Sequence, residues 1–200
     1  MPVDRFFRPF FELADASPAL RAFVLEELSA PHRHWHGLLH HALMLREMGV
    51  TSHDPHEARQ LVLATLFHDI VYDPKRADNE ETSALIARAW VQPRDADAVA
   101  ALILATKAHD LNADPTTRAL LMADLGLLWT PSERFYRCYA RGIRAEYAHV
   151  PDAAYRTRRA AVLGELRERV SPFLDTSRRE ALERNLSWEQ ALLEGDDPLF

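Results

Sequence analysis

Apolar residues return at intervals of three and four along almost the whole chain, the spacing of helices that bury one face. Ser17-Pro18 reads as an N-cap followed by proline at the first helical position, and Leu20, Phe23, Val24 and Leu28 form the stripe that ends near Pro31. The next segment, PHRHWHGLLHHALMLREMGV, repeats through Leu38, Leu39, Ala42, Leu45 and Met48, with Gly49 as its stop. Asp54-Pro55 opens a run with Ala58, Leu61, Val62, Thr65 and Leu66 on one face, leading into Phe67, His68 and Asp69.

Asp78 or Asn79 caps a following helix whose core side is expected at Ala84, Leu85, Ala89 and Trp90, and Pro93 ends it. Asp95 starts a run through Val99, Leu102, Ile103 and Thr106. Asp114-Pro115 precedes one through Leu120, Leu121, Asp124, Leu125 and Leu128. Pro131 begins a stretch through Phe135, Tyr139 and Ile143 to Tyr147. Others run from Asp152 to Val170 and from Ser177 to about Leu193. Strands have no support, since the chain holds neither a sustained alternating run nor an Asn-Gly hairpin. The pattern predicts an all-α, single-domain helical bundle of about eight to ten helices over residues 1–200, with the acidic tail EGDDPLF (194–200) loose.

Composition narrows the function classes. Only six glycines occur, which favours helix over strand, and the net charge of −6 argues against broad nucleic-acid binding. Cys138 is the only cysteine and falls at helical spacing with Phe135 and Tyr139, so it is expected as a half-buried packing thiol in a reducing cytoplasm. The N-terminal MPVDRFFRPFFEL carries acidic residues and does not read as a secretory signal. No segment approaches the ~20 apolar residues that a membrane helix needs. The expectation is a soluble cytoplasmic protein, with a homodimer open.

Candidate chemistry lies in three places. Five histidines stand between His32 and His41; on one helix His36 and His40 would share a face, while His41 would point about 100° away from His40. His32, His34 and His41 are read as capping or surface imidazoles. His68-Asp69 ends the apolar run LVLATLF, and Asp124 lies within LLMADLGLL; a carboxylate in such surroundings needs a cation or several donors. His40, His68, Asp69 and Asp124 thus offer two imidazoles and two carboxylates from three helices. That donor set suits one divalent ion among Mn, Fe, Co, Ni, Zn and Mg.

The order H…HD…D, together with RHWHGLLHH, FHDIVYDPKRADNEETSA, ILATKAH, MADLGLL, IRAEYAHV and the YRTRRAAVL run, resembles the HD-domain metal-dependent phosphohydrolase superfamily. More narrowly, it is similar to the small family of HD-superfamily phosphohydrolases of unknown substrate, over roughly residues 33–163. The resemblance implies an all-helical fold, a bound divalent metal and hydrolysis of a phosphate ester or anhydride, nucleotides included. His68 and Asp69 match its paired motif, Asp124 its last aspartate and His40 its first histidine, with His36 as alternative or outer partner. Extra histidines before the last aspartate mark two-metal members, and only His109 stands there, which favours one metal.

A hydrolase also needs a proton acceptor and cations for the phosphate. Beside Asp69, the acidic candidates for the catalytic role are Glu80, which matches the family's D-N-E-x-x-S-A run without a shift, and Asp73; Glu81 ranks below them. First-turn capping acids are the competing reading. Lys107 and His109 at a helix end, and Arg144 in IRAEY, are the substrate-binding candidates, although Arg144 can equally form an ion pair between helices. No glycine-rich phosphate loop, nucleophile elbow or Cys-x-x-Cys pair is present. The expected function is a metal-dependent phosphohydrolase acting on a small phosphorylated substrate. The alternative is a regulatory protein that holds a metal or phosphorylated ligand without turning it over.

Overall fold

The computed structural model describes residues 3–50 and 53–195, with side chains from residue 5 onward. Among them are ten α-helices and no strand, so the all-α expectation holds. Two compact units divide the chain, Met1–Asp124 and Leu125–Phe200.

The first unit is built around one helix. It holds α1 (Val3–Leu13), α2 (Pro18–Leu28), α3 (Leu38–Glu47), α4 (Pro55–Phe67), α5 (Asn79–Trp90), α6 (Pro93–Thr106) and α7 (Pro115–Asp124). In α4 every residue from Gln60 to Phe67 is buried, and α1, α3, α5, α6 and α7 all pack on it. The LVLATLF run is therefore apolar all round because it is covered all round. Each of its large side chains contributes about 1.5–3 kcal/mol on burial.

Local signals fix the ends of these helices. Ser17 accepts from the Leu20 amide at 3.1 Å, Asp54 from the His56 amide at 2.9 Å, and Asp114 from the Thr116 and Thr117 amides. Gly49 takes a left-handed φ of 54° just past α3, the conformation that lets the chain leave a helix without a Cβ clash.

Three local expectations change. Residues 31–37 form turns before α3, so His36 precedes the helix that carries His40. In α5 the covered face is Ser83, Ala84 and Ala87; Leu85 is 66% exposed and Ala89 is exposed, while Trp90 stacks on Phe23 at 4.9 Å. Helix α1, absent from the sequence reading, forms despite Pro9, and its Phe7 and Phe11 are buried in the core of this unit.

The second unit holds a 3-10 turn (Leu125–Trp129), α8 (Glu133–Glu146), α9 (Asp152–Val170), a short 3-10 turn (Ser171–Phe173) and α10 (Thr176–Glu194). Asn185 Nδ2 donates to the carbonyls of Leu128 and Thr130 at 3.0 and 2.9 Å, tying α10 to the first turn. Helix α8 buries Ile143 as expected, with Tyr136 and Ala140 beside it in place of the expected Phe135, which is exposed, and Tyr139, which is half-buried. Cys138 is consequently exposed, not half-buried. Glu194 closes α10 and Gly195 is its C-cap residue, so the loose tail expected from 194 does not begin there; residues 196–200 lie outside the described residues. None of the described helices is long and apolar enough to cross a membrane.

Candidate metal centre

Three helix segments of the first unit converge on one point. Helix α3 begins after Gly37, whose missing side chain matters: a Cβ there would lie 2.9 Å from the Leu28 carbonyl oxygen. One turn later His40 is 2% exposed, its ring 5.7 Å from the buried Trp35. His68 is the C-cap residue of α4, its amide still bonded to the Ala64 carbonyl at 2.8 Å. Asp69 follows it, and Asp124 is the last residue of α7.

His40, His68 and Asp124 each offer a ligand atom, all within 4.8 Å of one another, so the three could hold a metal ion. His40 Nε2 lies 3.2 Å from His68 Nε2 and 3.0 Å from Asp124 Oδ1. His68 Nε2 is 3.8 Å from Asp124 Oδ1. Asp69 stands against the trio: its Oδ2 is 3.0 Å from His68 Nε2 and 3.8 Å from His40 Nε2. Adjacent donors around a cation with bonds of about 2.1 Å lie about 3.0 Å apart, and opposite ones about 4.2 Å. The observed separations fall within that interval.

Outer partners set which atoms face inward. His68 Nδ1 lies 2.9 Å from the Thr65 carbonyl. A carbonyl only accepts, so Nδ1 carries the proton and a neutral His68 presents its Nε2 lone pair to the site. His109 Nε2 bonds Asp124 Oδ2 at 2.8 Å, leaving Oδ1 toward His40. His109 holds this position in a left-handed backbone conformation, φ 48°, which costs a non-glycine residue about 1–2 kcal/mol.

The electrostatics are those of a paired, partly dry cluster. Burial lowers the pKa of His40 despite the Asp124 carboxylate beside it. Burial would do the same to His68, but the charge and hydrogen bond of Asp69, with Asp124 beyond, push it up to about 9. Burial opposes ionisation of Asp69, yet the charge and hydrogen bond of His68 hold its carboxyl below the usual range. For Asp124, burial is likewise overcome, here by hydrogen bonds from His109 and His40. Two carboxylates and one imidazolium sum to −1, and exchanging that proton for a divalent cation brings the four groups to zero. The residues present therefore fit a divalent ion in donor type, spacing and charge.

Sequence reasoning missed Arg33. Its Nη1 donates to the His36 and Asp69 carbonyls at 2.8 and 2.6 Å, and its Nη2 donates to the Ile70 carbonyl at 2.9 Å. One planar guanidinium thus clamps the lead-in of α3 to the turn that carries Asp69. Arg33→Met is expected to raise the Mn²⁺ dissociation constant by about 10- to 100-fold, the usual cost of losing an outer partner. Arg33→Lys should recover only part of this, because an ammonium cannot span three carbonyls. Calorimetric titration of both variants is the check, and an unchanged affinity in Arg33→Met would refute the clamp.

The remaining candidates are held as follows. His36 stacks on Tyr72 at 4.1 Å and meets the His40 ring edge-on at 5.5 Å, outside the mutually close trio. His32 and His34 are exposed as expected. His41 is not a surface imidazole: it is fully buried, its Nδ1 lies 2.8 Å from the Gly37 carbonyl, and its ring is 4.8 Å from that of His68. Asp73 Oδ1 accepts from the Lys75 amide at 2.9 Å. Lys107 Nζ donates to the Ala77 carbonyl at 2.6 Å and to Glu81 at 2.5 Å, with Glu80 at 3.8 Å, so it fastens the start of α5 to the end of α6. Asp78 sits at the N-cap of α5 but spends its carboxylate on Arg76. In the second unit, Arg144 donates to the Tyr147 and Val150 carbonyls at 2.7 and 3.2 Å and pairs with Asp152 at 2.5 Å, an ion pair between helices. No family model, no curated protein and no solved structure matches this chain.

Proposed function

We propose that the chain is a metal-dependent phosphohydrolase, in which His40, His68, Asp69 and Asp124 hold one divalent cation, from among Mn, Fe, Co, Ni, Zn and Mg. The observation that carries this reading is the meeting of the buried His40 Nε2 and His68 Nε2 with Asp124 Oδ1 of the partly buried Asp124, with Asp69 Oδ2 3.0 Å from His68. The order of these residues, and their resemblance to the HD superfamily, support phosphate esters or anhydrides as substrates, with nucleotides among the candidates. A cation bound there would lower the pKa of a water molecule and polarise a phosphoryl oxygen.

The protein's own groups do the rest. The Thr65 carbonyl orients His68, and His109 orients Asp124, so neither ligand has to reorganise when the site fills. The buried run of α4 lies directly before the His68-Asp69 pair and keeps solvent from that side, which strengthens every charge interaction within the site. Beside Asp69, Glu80 and Asp73 are the carboxylates assigned to proton transfer. Lys107 restrains the turn of α5 that carries Glu80. On this reading the protein works in the cytoplasm, as a monomer or a homodimer.

Metal analysis and a hydrolysis panel test it together. Wild type is expected to hold close to one divalent ion and to hydrolyse at least one nucleotide or phosphomonoester with Mn²⁺, Co²⁺ or Mg²⁺. Asp69→Ala is expected to lose most of both. No bound metal, and equal behaviour of the two proteins, would sink the proposal.

A further inference from the structure

A phosphoryl group held at the metal centre needs hydrogen-bond donors as well as the cation, because its oxygens outnumber those one ion can take. The residues expected from the sequence to supply them are engaged elsewhere. Lys107 is bonded to the Ala77 carbonyl and to Glu81, and His109 to Asp124. Arg144, in the second unit, is paired with Asp152. Arg33 spends its guanidinium on three carbonyls. The donor role at this centre therefore falls to another residue.

His36 is placed for it. Its carbonyl shares Arg33 Nη1 with the Asp69 carbonyl, at 2.8 and 2.6 Å, so the two residues are held side by side. Its ring meets that of His40 edge-on at 5.5 Å. His40 and His68 are buried, whereas Asp69 and Asp124 are partly exposed, so the centre is reached from its carboxylate side. His36 is half-buried like those carboxylates. A neutral imidazole always keeps one ring N–H to donate, and a phosphoryl oxygen only accepts.

Three further side chains hold that ring. Tyr72 stacks on it, with centroids 4.1 Å and planes 23° apart. Both chain neighbours of Tyr72 are gripped at the backbone by the first two turns of α5. Ser83 Oγ accepts from the Val71 amide at 3.1 Å and donates to the Val71 carbonyl at 3.4 Å. Asn79 Oδ1 accepts from the Asp73 amide at 3.1 Å, and its Nδ2 donates to the Asp73 carbonyl at 2.9 Å. Two side chains thus pair with alternate residues much as a neighbouring strand would. Tyr72, between them, has little freedom to swing off His36. Support of this kind keeps a binding group at its working geometry.

We propose that His36 is a substrate-binding residue of the metal centre, donating to a phosphoryl oxygen, with Tyr72, Asn79 and Ser83 as the residues that position it. The proposal rests on the metal reading above. Methylphosphonate, which carries a phosphoryl group and cannot be hydrolysed, is the probe. The full chain is titrated calorimetrically with Mn²⁺, and the Mn²⁺-loaded protein then with methylphosphonate. Wild type is expected to bind both. His36→Ala should keep its Mn²⁺ affinity within about twofold and lose about tenfold or more in methylphosphonate affinity, the scale of a hydrogen bond to a charged group. Tyr72→Leu should weaken methylphosphonate in the same direction, and Tyr72→Phe, which keeps the stack, should restore it. Melting temperatures confirm that each variant folds. Unchanged methylphosphonate affinity in His36→Ala would overturn the proposal, as would a parallel loss of Mn²⁺ affinity, which would make His36 a ligand of the ion. Wild type that takes up Mn²⁺ but not methylphosphonate overturns it alone. Wild type that takes up no Mn²⁺ overturns the metal reading with it.

Discussion

Asp124→Ala is expected to remove divalent-metal binding to an extent that no other single change to the cluster's outer partners would match. Asp124 is bonded on both sides, to His40 at 3.0 Å and to His109 at 2.8 Å. Its loss removes a ligand atom and the anchor of a second one. The effect should therefore exceed the about 10- to 100-fold cost of losing an outer partner. Folding makes this visible without any assay of turnover. At a metal concentration of 100 times its dissociation constant, binding stabilises the native state by about 2.7 kcal/mol. For a chain of this size that is a rise in melting temperature of about 5–11 °C. Wild type should show that rise with Mn²⁺, and Asp124→Ala should show none. The metal-free variant should also melt somewhat lower than metal-free wild type, since the buried His40 and the half-buried His109 both lose their carboxylate partner, and a buried group left unpaired costs about 1–3 kcal/mol. An equal Mn²⁺ shift in both proteins would place the ion somewhere else. Asp124→Asn sharpens the result, because it keeps hydrogen bonds to both imidazoles and removes only the charge.

Which parts of this centre the sequence could disclose follows from the chemistry of each contact. His68, Asp69 and Asp124 are legible because ionisable groups inside apolar runs need partners, and His40 because it stands in the matching order. Arg33 is not, since it acts on three backbone carbonyls up to 37 positions away, and a carbonyl leaves no trace in residue identity. The sequence points His109 toward a phosphate; the left-handed turn that sends its ring to Asp124 has no glycine to announce it. His41 is expected on the surface because histidine so often lies partly exposed. That tendency does not convey that a second face of α3 is covered as well, so that His41 is buried too.

The fold divides in the same way. Helices α9 and α10 match their expected ranges nearly to the residue, because a long periodic stretch repeats its signal over many turns. Helix α1 carries Pro9, a residue that ordinarily interrupts a helix, and Phe7 and Phe11 supply enough burial to hold a helix around it. The expected faces of α5 and α8 are right at Ala84 and Ile143 but wrong elsewhere, because large apolar residues such as Leu85 and Phe135 are exposed while the smaller Ser83, Ala87 and Ala140 point inward. Periodicity locates a helix more securely than it locates its buried side.

The largest stability effect is expected at Glu189, where no apolar stripe draws attention. Glu189 and Tyr136 are each 1% exposed and Arg159 is 8% exposed. Glu189 accepts from Arg159 Nε at 2.7 Å and Nη2 at 3.3 Å, and from the Tyr136 hydroxyl at 2.5 Å. Three helices of the second unit, α8, α9 and α10, thus meet on one carboxylate. Glu189→Ala leaves the Arg159 guanidinium buried without its counter-ion, and breaking such a pair costs about 3–5 kcal/mol. The melting temperature should fall by about 6–20 °C. Tyr136→Phe removes only one of the three contacts and should cost no more than about 1–3 kcal/mol. The double variant Glu189→Leu with Arg159→Met discriminates between a lost pair and a collapsed core. Two apolar side chains of similar volume impose no desolvation penalty, so this protein should melt well above Glu189→Ala and close to wild type. If the double variant instead falls as far as the two single losses added together, the charges are not acting as a pair, and the three helices are held by packing alone.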